Sequence, residues 1–184
     1  MAKYVGLMRG INVGGNRIVK MAKLRDVLTG AGFHSVQTYV QSGNIVLESD
    51  GDETTVRTEM EALCASAFGF DIPIILRPED VFRAEAAACP YAGPDGEPLD
   101  GRLAKFLQLT YLSALPDMSL LEDVLTRYRG PEEVSLQGSV LYIYYPEGAG
   151  RSELANHLTP KKLGATPTSR NWNTVQKLLG MLAG

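Results

Sequence analysis

Cysteine, histidine and tryptophan are scarce in this chain of 184 residues, at two, two and one. Cys64 and Cys89 have neither the spacing of a zinc site nor the density of a disulfide framework, so they read as two reduced thiols. His34 and His157 are isolated in the sequence, and neither has the company of a catalytic base. Ser42, Ser152 and the two cysteines lack a base nearby in sequence, so no nucleophile is marked. No run approaches the ~20 apolar residues that span a bilayer. Nor does a basic stretch followed by an apolar core open the chain. The expectation is a soluble cytoplasmic protein with no membrane partner.

An excess of positive charge is also missing, since the formal net charge is -3. The field of the whole molecule would repel a polyphosphate, so nonspecific DNA binding is not expected and any nucleic-acid contact must rely on a local patch. The acidic run Glu48, Asp50, Asp52 and Glu53 reads as a solvated loop and helix start rather than a metal site. No metal and no cofactor are expected, and no reaction is named. What is present, 45% apolar and 21% charged residues, is enough to build an ordinary folded core.

The patterns order themselves as strand, helix, strand, strand, helix, strand. KYVGLMRG is a short apolar strand. Met21, Leu24, Val27, Leu28 and Ala31 follow helical spacing, with Gly32 placed for a left-handed cap. HSVQTYVQSGNIVLES alternates on either side of a Ser42-Gly43-Asn44 turn. Asp52 to Phe68 is a second amphipathic helix, and FDIPIILR a further strand. This is the split βαβ order of ferredoxin-like folds.

The order then recurs. After a helix near Pro78 to Ala88 and a Pro/Gly-rich connection, LAKFLQLTYLS reads as a long strand and Asp117 to Tyr128 as a helix. EEVSLQGSVLYIYYP is a hairpin, Arg151 to Leu158 a helix, Gly164 to Ser169 a last strand and Asn171 to Leu182 a terminal helix. The predicted architecture is α+β: a ferredoxin-like half over residues 1–77, a linker helix and connection over 78–102, and a second half with the C-terminal helix over 103–184.

Three helix starts carry Arg with Gly, Asn or Ser. The first, MRGINVGGNRIVKM, has glycines at 10, 14 and 15, close to the spacing of a phosphate-cradling P-loop. Asn16 and Arg17 stand where its lysine and magnesium-binding hydroxyl belong, so nucleotide hydrolysis is not supported. Three residues separate Gly10 from Gly14, which also rules out the dinucleotide fingerprint. What remains is a nest of backbone N–H groups, with Arg9, Asn12, Gly14, Gly15 and Arg17 as its wall, feeding the positive end of a helix. The plainer reading is a turn that needs positive φ. Arg151 and Ser152 in EGAGRS, and Arg170 and Asn171 in SRNWN, repeat the pattern; alone, each reads as N-capping. If all three serve one ligand, Arg9, Arg151 and Arg170 must line one cleft. Trp172, on the stripe of Val175 and Leu179, reads as a core anchor.

The blocks MRGINVGG, MAKLRDVL, GFHSVQTYVQSGNIVLES, FGFDIPIILR, YYPEGAGRSEL and TSRNWNTVQKLLGM resemble those of the bacterial domain-of-unknown-function family 1697. The resemblance implies a two-part α+β fold built on ferredoxin-like units and brings no enzymatic activity with it. The residues themselves suggest a small anionic ligand, such as a nucleotide or another phosphorylated metabolite. The alternatives are a single-stranded nucleic acid stacked on Tyr4, Tyr39, Tyr142 and Tyr144, or a protein partner at an open sheet face.

Overall fold

The computed structural model describes residues 1–184. The chain divides into two compact units, Met1–Arg83 with Leu178–Gly184, and Ala84–Lys177.

In the first unit, β1 (Ala2–Met8), α1 (Met21–Gly30), β2 (His34–Tyr39), β3 (Asn44–Ser49), α2 (Glu53–Phe68) and β4 (Ile74–Pro78) follow in order. The four strands form an antiparallel sheet in the order β2-β3-β1-β4. Because side chains alternate along a strand, Tyr4 and Met8 of β1 share a face with Ile45 and Leu47 of β3 and with Ile74 and Leu76 of β4. They pack with Leu24 and Leu28 of α1 and Val56, Met60 and Cys64 of α2 into one core. The opposite face is apolar and buried too, with Val5, Leu7, Val46 and Ile75. Asp52 caps α2 by accepting from the Thr55 amide at 2.8 Å, and Gly32, at φ 99°, turns the chain out of α1. The Lys3 ammonium donates to the Leu182 carbonyl at 3.0 Å, which ties the C-terminal residues of this unit to its first strand.

After α3 (Glu79–Ala87), whose last residues open the second unit, the scheme repeats with β5 (Leu107–Leu112), α4 (Met118–Arg127), β6 (Glu133–Gln137), β7 (Val140–Tyr144), α5 (Leu154–His157), α6 (Pro160–Leu163), β8 (Pro167–Asn171) and α7 (Trp172–Ala183), of which the residues from Leu178 onward belong to the first unit. The second unit's antiparallel sheet has the corresponding order β6-β7-β5-β8. Leu112, Leu121, Val124, Leu141, Ile143, Tyr145, Leu154 and Leu163 form its core. The protein is therefore an α+β chain of two similarly ordered halves.

Three segments differ from their expected form. The long strand expected over 103–113 begins as a 3-10 turn, Ala104–Phe106, in which the Phe106 amide donates back to the Leu103 carbonyl. The helix expected from Arg151 to Leu158 is a 3-10 turn, Ala149–Arg151, followed by two four-residue helices. The break falls at Ser152, which is extended and whose Oγ accepts from the Leu154 amide, and Pro160 separates the two short helices, because the residue before a proline is driven to extended backbone and Thr159 is extended. Finally, β8 runs to Asn171, so Arg170 lies inside a strand instead of at a helix start.

Candidate functional site

The loop after β1 is held by its own side chains. Gly10, Asn12, Gly14, Gly15 and Arg17 all have φ between 52° and 75°. Asn12 and Arg17 are thus non-glycine residues in the left-handed region, which usually costs energy that neighbouring contacts must offset. Those contacts are present. The Asn12 amide group donates to the Val19 carbonyl at 3.0 Å and the Gln41 carbonyl at 2.7 Å, while its oxygen accepts from the Val19 amide at 2.8 Å. Arg17 Nε donates to the Gly10 carbonyl at 2.8 Å, and its Nη2 to the Asp71 carbonyl. The same guanidinium lies 4.6 Å from the Phe70 ring centroid, a cation–π distance.

Asn12 and Arg17 therefore fasten the loop to the turn before β3 and to the segment before β4. Gly14 and Gly15 stay exposed at the tip and take no part in these bonds. Arg9 is half-buried at the base, where burial lowers its pKa below the ordinary value. The loop then enters α1, whose N-cap residue, Lys20, provides no side-chain cap, and whose first turn has no acidic residue. The positive end of that ten-residue helix is uncompensated by its own side chains.

In the second unit, Arg151 is exposed at the end of its 3-10 turn, and Gly148 before it has φ 87°. Ser152 Oγ accepts from the Leu154 amide at 3.0 Å and lies 3.4 Å from the Tyr128 hydroxyl, which in turn donates to Glu132 Oε2 at 2.8 Å. Burial raises the Glu132 pKa, but hydrogen bonds from Ser152 and Tyr128 outweigh that effect and hold it below its usual value.

Arg170 is only 6% exposed, and its Nη1 donates to Thr168 Oγ1 at 2.9 Å and the Ser169 carbonyl at 2.8 Å. Burial pulls its pKa down to about 10, partly opposed by Tyr111. Asn171 caps α7 through its Oδ1, which accepts from the Thr174 amide at 2.9 Å. Trp172 is buried, and its Nε1 donates to the Gly96 carbonyl at 2.6 Å. Within this unit, then, Arg170 and Asn171 are engaged in β8 and the α7 cap, while Arg151 faces solvent. Tyr4 and Tyr142 are buried, with hydroxyls on the Gly51 and Glu85 carbonyls, and so are withdrawn from an exposed stacking face.

Gln41, Phe70 and Asp71 complete the first-unit loop, and the sequence analysis did not single them out. Gln41 and Asp71 act through backbone carbonyls, so their residue type carried no trace of the role, while Phe70 acts through its ring but lies far along the chain from Arg17.

With this geometry in view, the sequence profile of a family described as "Protein of unknown function (DUF1697)" matches residues 1–142. The chain belongs to that family. The matched stretch contains the glycine loop and stops before EGAGRS and SRNWN, so the family profile bears on the first candidate segment alone. The solved structure of conserved bacterial protein SP0830 from Streptococcus pneumoniae is similar over 98% of both chains, at 26% sequence identity and a TM-score of 0.74. The similarity of fold thus reaches beyond the profile to nearly the whole chain. A comparison with curated protein sequences gives no match.

Proposed function

We propose that this family member binds a small anionic or phosphorylated ligand at the loop between β1 and α1. The observation that supports this most is the set of five left-handed residues among the eight from Gly10 to Arg17, anchored by Asn12 and Arg17, with Gly14 and Gly15 exposed at its tip. Backbone of this kind forms concave nests of N–H groups that favour an anion; the Asn12 and Asn16 amides donate to the Arg17 and Val13 carbonyls at 3.1 Å and brace the loop, so the nest of this reading lies at the glycine tip. In this reading Asn12 and Arg17 hold the cradle, Gly14 and Gly15 form its wall, and Arg9 supplies charge at the base. The uncapped start of α1 adds to the same field. Arg151 and Ser152 are a secondary candidate group, and Arg170 and Asn171 serve chiefly to shape β8 and α7. We read both sheets as ferredoxin-like and the protein as cytoplasmic.

Calorimetric titration with inorganic phosphate and AMP tests the loop. Charge-assisted hydrogen bonds contribute about 1.5–3 kcal/mol, so Arg9→Ala is expected to weaken binding at least about tenfold, with an unchanged far-UV spectrum. Arg17→Ala should do the same while lowering stability, because it also removes the clasp on Gly10 and Asp71. If Arg9→Ala retains the parent's affinity for both anions, the loop is a turn and nothing more.

A further inference from the structure

The second unit contains a cavity lined by residues outside the three Arg-bearing segments. It has a volume of about 450 Å³ and lies where α4 meets the two short helices α5 and α6. That is within the usual range of small-ligand pockets, roughly 300–1,000 Å³. The Asp117 amide donates to the Leu163 carbonyl at 2.8 Å, which fastens the start of α4 to the end of α6 and fixes two of the walls.

Two kinds of surface meet in this cavity. Leu120 and Val124, one helical turn apart on α4, provide an apolar side. Arg127, Lys161 and Lys162 provide three cations against one carboxylate, Asp123. Asp123 accepts from Arg127 Nε at 2.7 Å, which orients the guanidinium. Lys162 Nζ is 3.1 Å from His157 Nδ1. An ammonium can only donate, so Nδ1 accepts and the imidazole proton sits on Nε2. The His157 ring is held from behind by Tyr128, with centroids 5.8 Å apart and planes tilted by 53°. Two cations are therefore positioned by neighbours, beside apolar carbon, with a net excess of positive charge.

The geometry points to a binding site for a small amphipathic anion, a phosphate or carboxylate attached to a short apolar body. The apolar part lies along Leu120 and Val124, and the charged head reaches the ammonium of Lys162 and the guanidinium of Arg127. A fully hydrated inorganic anion would leave the apolar side unused, and a neutral apolar molecule would leave the cations without a partner from the ligand. This site goes beyond the glycine loop and does not depend on it.

The chain's two histidines make the test specific, because His157 lines the cavity and His34 lies on β2 in the first unit. Imidazole NMR signals are followed as hexyl phosphate, 1-hexanol and inorganic phosphate are titrated into the full chain. Hexyl phosphate is expected to shift His157 and leave His34 in place, binding at least about tenfold more tightly than either hexanol or phosphate. Combining Arg127→Ala with Lys162→Ala should remove that preference; both residues are exposed, so the fold should be kept. Arg9→Ala should leave it intact. A stationary His157 signal, equal affinity for hexanol, or parental affinity in the double variant would each overturn the assignment.

Discussion

Gly43 ends the turn before β3 at φ 80°, where an added Cβ would meet Met8 Cβ at 2.7 Å and the Ile11 side chain at 2.8 Å. Gly14, at φ 60°, has open space around the same position. The pair separates backbone strain from crowding. Gly14→Ala should cost about 1–2 kcal/mol, the strain of a left-handed alanine. Gly43→Ala adds overpacking of about 1–3 kcal/mol to that strain. Urea unfolding would measure both, and equal losses would show that Met8 and Ile11 can move aside. The sequence marked Gly43 as a turn residue because Ser-Gly-Asn is turn chemistry. It did not mark the collision, because Met8 and Ile11 are distant in the chain and arrive only through the β1–β3 register. The same limit hid the roles of Asn12 and Arg17. Residue type made them plausible anion ligands, while the fold engages them with carbonyls at 10, 19, 41 and 71.

Helix ends were among the most legible elements, because caps are local. Asp52 and Asp117 both precede a run with helical spacing, and both accept from amides of the first turn. The pKa of Asp52 is lowered by the Thr55 amide and hydroxyl, and that of Asp117 by the Ser119 hydroxyl and the Leu120 amide. In each case the folded-state pKa lies below the unfolded value. The capping contribution is therefore complete above about pH 4, the ordinary carboxyl range, and is lost as pH falls through the lower folded-state values. Asparagine caps almost as well without titrating. Asp52→Asn with Asp117→Asn should flatten the acid side of the stability–pH curve and change stability little at pH 7. Urea midpoints measured from pH 7 to pH 2 would check this, and an unaltered acid slope would remove the caps from the account. The short helices after Gly148 were less legible, because Leu154 and Leu158 share helical spacing although the chain is extended at Ser152 and again at Thr159, before Pro160. Arg170 was misplaced for a similar reason: β8 gives way to α7 with no intervening loop, and no sequence punctuation separates strand from helix.

At the scale of the whole molecule, the repeated strand order was legible because hydrophobic periodicity and turn residues recur in the same sequence in both halves. The partition of the chain was not, since Leu178–Gly184 group with the first unit through contacts that span the full length of the sequence. One buried thiol in each unit gives an independent measure of its integrity: Cys64 in the first and Cys89 in the second. Burial, helped by the charge of Glu61, pushes the Cys64 pKa up to about 11. At pH 8 its thiolate fraction is then lower than that of a free cysteine of pKa ~8.5 by about two orders of magnitude. Cys89 is also raised by burial, but the amides of Tyr91 and Ala92 oppose the shift, and it lies just past the end of α3. Both thiols should resist a disulfide reagent in the native protein at pH 8, with Cys89 reacting first and Cys64 later. Each can be followed alone in the Cys89→Ser and Cys64→Ser proteins. For Cys64 the folded-state pKa exceeds the unfolded value. Its contribution to stability is full below about pH 8.5 and is lost as pH rises toward 11. Rapid labelling of Cys64 in the native state, or labelling of Cys64 ahead of Cys89, would mean that the α2 face of the first core opens far more readily than the burial of Val56, Met60 and Cys64 in that core requires.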